Sequence, residues 1–253
     1  MWQECGLIDY WTQQGLAYGG EIEMSGGRSF LKEDPKARKY RDFFALQFSD
    51  SVGDISVLAK DLGAAIRTVR YYTGKDRVTL VSYSMGGVVS RRYLVDNPDS
   101  HGVQSLITLS TPHSGSYLAN IANALCIGMR DCSETMAHKL RDWFGVVITS
   151  DAIEQLRISD RGFLADLNEA PHPVDVNYYS VIASIRSANP LWRLYDGDLV
   201  GSLESQNMAN VAAMGNQHRM DSTMVYDANH FSVLEEHEKI YQLVKAMSYA
   251  KSI

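Results

Sequence analysis

The chain has 253 residues, of which 45% are hydrophobic and 21% charged, and its formal net charge is -6. These proportions are typical of a globular protein with one buried core, and they exclude a disordered or coiled-coil chain. The negative charge, with lysine and arginine scattered along the chain, also argues against binding to the phosphate backbone of nucleic acid.

The sequence carries no signal for a membrane span or a metal site. No apolar run reaches the roughly 18 residues that cross a bilayer, and residues 1–20 lack the basic-then-apolar pattern of a signal peptide. We therefore expect a soluble chain, either cytoplasmic or secreted with its N-terminus removed. The three cysteines include no CxxC pair, so no metal is expected. Cys126 and Cys132 could form a disulfide or remain two unpaired thiols, and the spacing leaves both alternatives open.

Short apolar, β-rich runs follow one another along the chain, separated by segments with helical periodicity. The predicted strands span 43–48, 77–83, 103–109, 178–184 and 223–226. Between the first two, apolar residues recur at intervals of three and four from Ile55 to Val69, as in a helix with one buried face. Residues 232–250 repeat that pattern and predict a closing helix. This alternation predicts an α/β fold, with a mostly parallel sheet and helices on both of its faces.

Residues 117–175 form a long stretch between predicted strands that is rich in helix formers and interrupted by glycines. We interpret it as a cap or lid of short helices, inserted into a single domain that spans residues 1–253. Its apolar side chains would either line a cleft or belong to ordinary core, and the sequence leaves both open. They are Leu118, Ile121, Leu125, Trp143, Phe144, Val146, Val147 and Ile148.

The run from Arg77 to Val89 ends a predicted buried strand, turns through small residues at Ser84 and continues as a helix. Such a turn places its side chain at the carboxyl edge of a parallel sheet, where open α/β sheets bind ligands. Ser84 is therefore a candidate nucleophile, and the N–H of Met85 at the helix start is a candidate oxyanion donor. A serine that merely caps a helix is the alternative interpretation.

Segment 82–87, SYSMGG, resembles the GHSMGG elbow of the α/β-hydrolase lipases and esterases. The family's first glycine is Ser82 here, which would add a hydroxyl beside the nucleophile. Segment 110–116, STPHSGS, resembles the TPHxGS segment that follows the next strand in many bacterial lipases. The likeness implies that His113 is structural or lines the cleft, without a role in proton transfer.

Two later segments resemble the acid and base segments of the same family. Segment 196–205, DGDLVGSLES, is similar to the acid loop DGDGVVPVSS and implies that Asp198 is the catalytic acid. Leu199 replaces a family glycine, so Asp196 is kept as the reserve acid. Segment 226–234, YDANHFSVL, is similar to the family's NHFSLL ending and implies that His230 is the base.

The resemblance also orders these residues along the chain. Ser84, Asp198 and His230 occur in the order nucleophile, acid, base that this fold uses. In such a triad the aspartate holds the imidazole in the tautomer that accepts the serine proton. The remaining candidates, His218 and His237, are expected at the surface.

The family's first strands have no counterpart in this sequence, nor does its HG turn, whose backbone N–H supplies a second oxyanion donor. Two explanations for the missing turn stay open. Either the chain is truncated, or a glycine-rich loop such as Gly19-Gly20 or Gly26-Gly27 supplies the second oxyanion donor. Loss of one donor lowers the rate by about 10² to 10³-fold. Absent N-terminal strands would also expose a sheet edge through which two copies could pair.

The resemblance implies a serine carboxylic-ester hydrolase, a lipase or esterase, that acts on an ester or lipid through an acyl-enzyme on Ser84. It implies no cofactor. A thioesterase or acyltransferase could use the same triad. A different class of function is a catalytically impaired scaffold of this fold that binds a ligand or a protein.

Overall fold

The computed structural model of the protein describes residues 2–34, 40–51, 53–117, 119, 150–185, 197–211, 213–214 and 219–249. Within these ranges the strands are β1 (Tyr18–Ser25), β2 (Arg28–Glu33), β3 (Phe43–Phe48), β4 (Val78–Tyr83), β5 (Val103–Leu109), β6 (Asn177–Ser184) and β7 (Arg219–Tyr226). The helices are α1 (Leu7–Gln13), α2 (Ile55–Thr73), α3 (Met85–Asp96), α4 (Asp151–Gln155), α5 (Phe163–Glu169), α6 (Leu203–Gln206) and α7 (His237–Tyr249). Short 3-10 helices span Met208–Asn210 and Ser232–Glu235.

The strands form two sheets, ordered β2-β1-β3 and β4-β5-β6-β7. All neighbours are parallel except β1 and β2, which form an antiparallel hairpin. The predicted strand–helix–strand crossover is confirmed as β3-α2-β4, and α2 packs against both strands. Among the described residues β3 and β4 do not pair, although Phe43 and Val81 border the same apolar cluster. The mostly parallel arrangement is confirmed, but as two sheets that share a core.

Strands β5 and β6 lie at the centre of the core and are buried on both faces. Successive residues of β5 point to opposite sides, as strand geometry requires. Leu106 packs in the cluster formed by α2, α3 and α5, whereas Ile107 packs with α1 and α7. Helices therefore cover both faces, as the sequence predicted.

Helix α2 has clear signals at both ends. The side chain of Asp54 accepts hydrogen bonds from the N–H groups of Ser56 and Val57, at 2.8 and 3.1 Å, and so caps the first turn. Gly74 ends the helix in the left-handed conformation, and its N–H donates to the carbonyl of Arg70. The capped helix carries the chain from the end of β3 to the start of β4.

The hairpin of β1 and β2 was not among the predicted strands. Gly26 and Gly27 both have positive φ, at 56° and 75°, and connect the paired residues Ser25 and Arg28. A two-residue hairpin turn of this kind needs positive φ at both positions, which glycine adopts without strain. The Gly-Gly pair was thus a turn signal, although it was considered only as a source of an oxyanion donor.

Two predicted boundaries move. β7 begins at Arg219 instead of residue 223, because its polar first half pairs with Asn177–Ser180 of β6. Asp221 and Ser222 in that half are exposed, and among the described strands β7 pairs with β6 alone. The closing helix is divided at Glu236 into the 3-10 helix Ser232–Glu235 and α7.

Part of the predicted lid, residues 117–175, lies outside the described residues, namely 118 and 120–149. The eight apolar side chains named for it, and Cys126 and Cys132, all fall there. Its described remainder contains α4 and α5, whose Ala152, Leu164 and Leu167 pack in the same cluster as the sheet. In the described part of the chain, no helix is long and apolar enough to cross a membrane.

Candidate active site

Strand β4 and helix α3 meet at Ser84 in a sharp turn. Ser84 has φ 52° and ψ −129°, a backbone conformation that a residue with a side chain adopts only at a cost. Its N–H donates to the carbonyl of Leu109 at the end of β5, and its own carbonyl accepts from Gly87. A Cβ on Gly87 would lie 2.2 Å from Oγ1 of Thr111, so the tight packing below the turn requires glycine. The turn leaves the Ser84 side chain at the carboxyl edge of the sheet.

The structure brings Ser84, His230 and Asp198 together although they lie far apart in sequence. Ser84 Oγ is 2.8 Å from His230 Nε2, and His230 Nδ1 is 2.6 Å from Asp198 Oδ2. A carboxylate accepts only, so Nδ1 carries the proton and Nε2 presents its lone pair to the hydroxyl. This is the arrangement in which an imidazole can take a proton from serine.

The carboxyl of Asp198 is buried and held from two directions. Its side chain is 0% exposed, and Oδ1 accepts hydrogen bonds from the N–H groups of Val200 and Gly201, at 2.9 and 2.8 Å. Its carbonyl accepts the N–H of His230 at 2.9 Å, which ties the acid loop to the segment carrying the base. Leu199, which lies between the acid and these two donors, adopts a left-handed conformation with φ 84°. The reserve acid, Asp196, lies outside the described residues.

Backbone strain is concentrated where the strands end. The described non-glycine residues with positive φ are Ser84, Ser110, Leu199 and Asp227. Ser84, Ser110 and Asp227 directly follow β4, β5 and β7, and Leu199 lies in the loop after β6. Strained residues persist where the surrounding structure over-determines them, and they cluster at functional sites. All four lie beyond the strand ends at which the three side chains meet.

Comparison with known proteins agrees with this architecture. Residues 25–127 match the family described as a PGAP1-like alpha/beta domain. The mature form of the Bacillus licheniformis lipase BlEst2 is similar over 81% of this chain and 78% of its own, with 22% identity and a TM-score of 0.58. The chain has the α/β-hydrolase fold.

Two further structures are similar over comparable or larger parts of this chain. The product of the Listeria innocua gene lin2722 covers 98% of this chain and 92% of its own, with 14% identity and a TM-score of 0.60. Lipase 1 from Pelosinus fermentans covers 82% and 89%, with 13% identity and a TM-score of 0.52. At these identities the likeness concerns the fold, and the chemistry of this chain has to be argued from its own side chains.

Ser82 replaces the first glycine of the usual elbow, and its hydroxyl bonds to Ser90 of α3. Its Oγ lies 2.8 Å from Oγ of Ser90, which also donates to the carbonyl of Gly86. The hydroxyl therefore joins β4 to α3 in the interior.

Tyr83 contacts His230 and was missed by sequence reasoning. Its hydroxyl donates to the carbonyl of His230 at 3.0 Å, and the two rings lie 5.1 Å apart. Burial raises the pKa of Tyr83 above its usual range, so the hydroxyl stays a donor. The contact joins residues 147 positions apart, and no local sequence pattern indicates it.

His113 is fully buried and lies in a different hydrogen-bond network from the triad. It is 0% exposed, with Nε2 3.2 Å from Oγ1 of Thr108 and Nδ1 3.4 Å from a guanidinium nitrogen of Arg91. Burial, with Arg91 and His172 nearby, lowers the pKa of His113 well below its usual value. Because Arg91 can only donate, Nδ1 of the neutral ring accepts and Nε2–H donates to Thr108.

Arg91 is a buried cation whose recorded partners in the described part of the chain are uncharged. It is 0% exposed and donates to Nε2 of His172 at 3.1 Å and to Oδ1 of Asn168 at 2.7 Å. Burial lowers its pKa to about 9. One feature of the sequence indicated that Arg91 is buried. At helical spacing it shares a face of α3 with positions 84, 87 and 88, and that face packs inward. Arg91 thus ties α3 to α5 and to the loop that carries His113.

The oxyanion side of the site has one candidate donor from the described residues. Met85 is the first residue of α3, whose first N–H groups have no partner within the helix. Gly19 and Gly20 lie within β1, and Gly27 donates its N–H to Asp61 of α2. The N–H of Gly27 is therefore committed to Asp61. His237 bonds to the carbonyl of Cys5, and His218 lies outside the described residues.

Proposed function

We propose that this α/β hydrolase is a serine hydrolase that cleaves carboxylic esters through an acyl-enzyme on Ser84. The observation that carries the proposal is the chain of contacts from Ser84 Oγ to His230 to Asp198, at 2.8 and 2.6 Å. Each distance is within hydrogen-bond reach, as transfer of the serine proton requires. The lipase neighbours agree with this chemistry but share only its fold at their low identity.

The reaction has two steps on this geometry. Ser84 Oγ attacks the ester carbonyl carbon while His230 Nε2 takes the hydroxyl proton, and the carbonyl oxygen becomes an oxyanion near the N–H of Met85. His230 then returns the proton to the leaving alcohol, and the acyl group stays on Ser84. In the second step His230 activates water, which attacks the acyl-enzyme and releases the acid. Asp198 stabilises the imidazolium in both steps.

Turnover of p-nitrophenyl butyrate by the parent and by Ser84→Ala tests the proposal. We expect kcat to fall by at least about 10³-fold, because no other group replaces the nucleophile. Ser222→Ala, which removes an exposed serine hydroxyl on β7, is the matched control and should retain the parent rate. Equal rates in the parent and Ser84→Ala would rule out Ser84 as the nucleophile.

A fluorophosphonate that reacts with activated serines gives an independent readout. The parent should gain the mass of one phosphonyl group, located on the peptide that contains Ser84. The Ser84→Ala and His230→Ala variants should gain none, since the first lacks the nucleophile and the second its base. Labelling of Ser84→Ala at the parent rate would contradict the assignment.

A thioesterase or an acyltransferase would use the same three side chains. Matched oxygen and thiol esters of butyrate, assayed with and without an added alcohol, separate these activities by kcat/KM and by the fraction of acyl group transferred to the alcohol. The scaffold alternative is favoured by one observation, that the N–H of Gly27, one of the groups offered as a second oxyanion donor, bonds to Asp61. A parent protein with neither turnover nor labelling would support that alternative.

A further inference from the structure

Leu199, next to the acid, has a backbone conformation that its side chain disfavours. Its φ is 84°, and 58% of the residue is exposed. The N–H groups of Val200 and Gly201 reach Asp198 through this conformation, so the loop needs the left-handed backbone. Glycine would adopt it without strain, and leucine is disfavoured there. The isobutyl group therefore adds strain and contributes little buried surface to the fold.

Phe231 is the neighbour of the base in sequence, as Leu199 is the neighbour of the acid. It directly follows His230, is 60% exposed, and packs the edge of its ring against the imidazole at a centroid distance of 5.7 Å. The hydrogen bond from His230 N–H to the Asp198 carbonyl holds the two segments side by side. Leu199 and Phe231, here called the apolar rim, thus border the triad from neighbouring segments.

We propose that the apolar rim binds the acyl chain of the ester and makes the enzyme prefer esters with several acyl carbons over acetate. The inference rests on the proposed function and names its substrate class. An ester whose carbonyl carbon is at Ser84 Oγ has an acyl chain that must leave the triad across its border. Large exposed apolar side chains there would be covered by such a chain, which removes apolar surface of both partners from water.

The size of the effect follows from apolar burial. Each methylene that leaves water contributes about a fourfold gain in binding. Removing the Leu199 side chain takes away contacts for roughly two methylenes, so Leu199→Gly should lower the ratio of kcat/KM for octanoate to that for acetate by about 15-fold. Phe231→Ala should lower the same ratio by a similar factor. A residue with a purely structural role would change both esters alike.

The test uses p-nitrophenyl acetate and p-nitrophenyl octanoate at concentrations where both are monomeric, so that contact with a lipid surface plays no part. Asp227→Gly is the matched control for Leu199→Gly, because it relaxes a second exposed left-handed residue without removing apolar surface. Tyr71→Ala, on an aromatic side chain that is 83% exposed in the last part of α2, is the control for Phe231→Ala. Both controls should keep the parent ratio.

Melting temperature supplies the second readout for Leu199→Gly. It should not fall, because relief of the left-handed strain offsets the greater freedom of glycine in the unfolded chain. An unchanged octanoate-to-acetate ratio in both rim variants overturns the proposal, and a lower melting temperature with an unchanged ratio assigns Leu199 to the fold. A parent that hydrolyses neither ester overturns the proposed function and the rim together, whereas turnover of both esters with an unchanged ratio overturns the rim alone.

Discussion

Replacing Asp198 by asparagine should separate catalysis from stability at this site. Oδ1 of Asp198 accepts from two backbone N–H groups, and Oδ2 accepts from His230 Nδ1. In Asp198→Asn the amide oxygen has to stay with the two N–H donors, because the amide nitrogen cannot accept from them. The NH₂ group then faces Nδ1 of His230.

The expected loss follows from the tautomer. A donor facing Nδ1 makes that nitrogen the acceptor and moves the ring proton to Nε2, which lies 2.8 Å from Ser84 Oγ. A protonated Nε2 cannot take the serine proton, so we expect kcat to fall by about 10⁴-fold, or about 5 kcal/mol of transition-state stabilisation. The fold should change little, because every buried polar group keeps a partner.

Asp198→Ala gives the contrast. Alanine leaves the N–H groups of Val200 and Gly201 buried near a void without their acceptor, which costs about 1 to 3 kcal/mol for each. Activity and stability should therefore both fall in Asp198→Ala, and activity alone in Asp198→Asn, measured as kcat on p-nitrophenyl butyrate and as urea unfolding. The Asp160→Asn variant, at an exposed acid, is the control. A kcat for Asp198→Asn within tenfold of the parent value would refute this reasoning, because it corresponds to a loss of transition-state stabilisation of less than about 1.4 kcal/mol.

Three further predictions concern the surroundings of the triad. Burial, with Arg91 nearby, lowers the pKa of His113 in the folded protein. As the pH falls, the unfolded chain therefore binds a proton at His113 at a higher pH than the folded protein does. The contribution of His113 to stability is therefore present above the unfolded pKa of about 6.5 and falls by about 1.4 kcal/mol per pH unit below it. His113→Gln should flatten that part of the urea-midpoint profile, and parallel profiles would contradict the assignment. Ser82→Gly should keep kcat and lose about 1 kcal/mol of stability with its buried hydrogen bond, and a large fall in kcat would show a role beyond the strand–helix contact. Gly87→Ala places a Cβ 2.2 Å from Thr111 Oγ1 and should cost about 1 to 3 kcal/mol together with activity, whereas parent-like melting would show that Thr111 can move aside.

The sequence by itself determined the features that depend on local patterns. Short apolar, β-rich runs predicted β3 and the parallel strands from β4 to β6, and 3.6-residue hydrophobicity predicted α2, because burial selects apolar residues in the pattern of each element. The elbow at Ser84 was visible because a strand-to-helix turn needs small residues at fixed positions. The resemblance to α/β-hydrolase segments then singled out Asp198 and His230.

The tertiary structure decided what depends on long-range contacts. The division into two sheets, the hydrogen bond from Tyr83 to His230, and the turning of the Ser82 hydroxyl towards Ser90 each follow from how separate segments pack. The buried position of Arg91 is the clearest case. A sequence pattern reports which face of an element is apolar, whereas a buried cation is tolerated only where distant acceptors such as His172 and Asn168 converge on it, and only the packed chain brings them there.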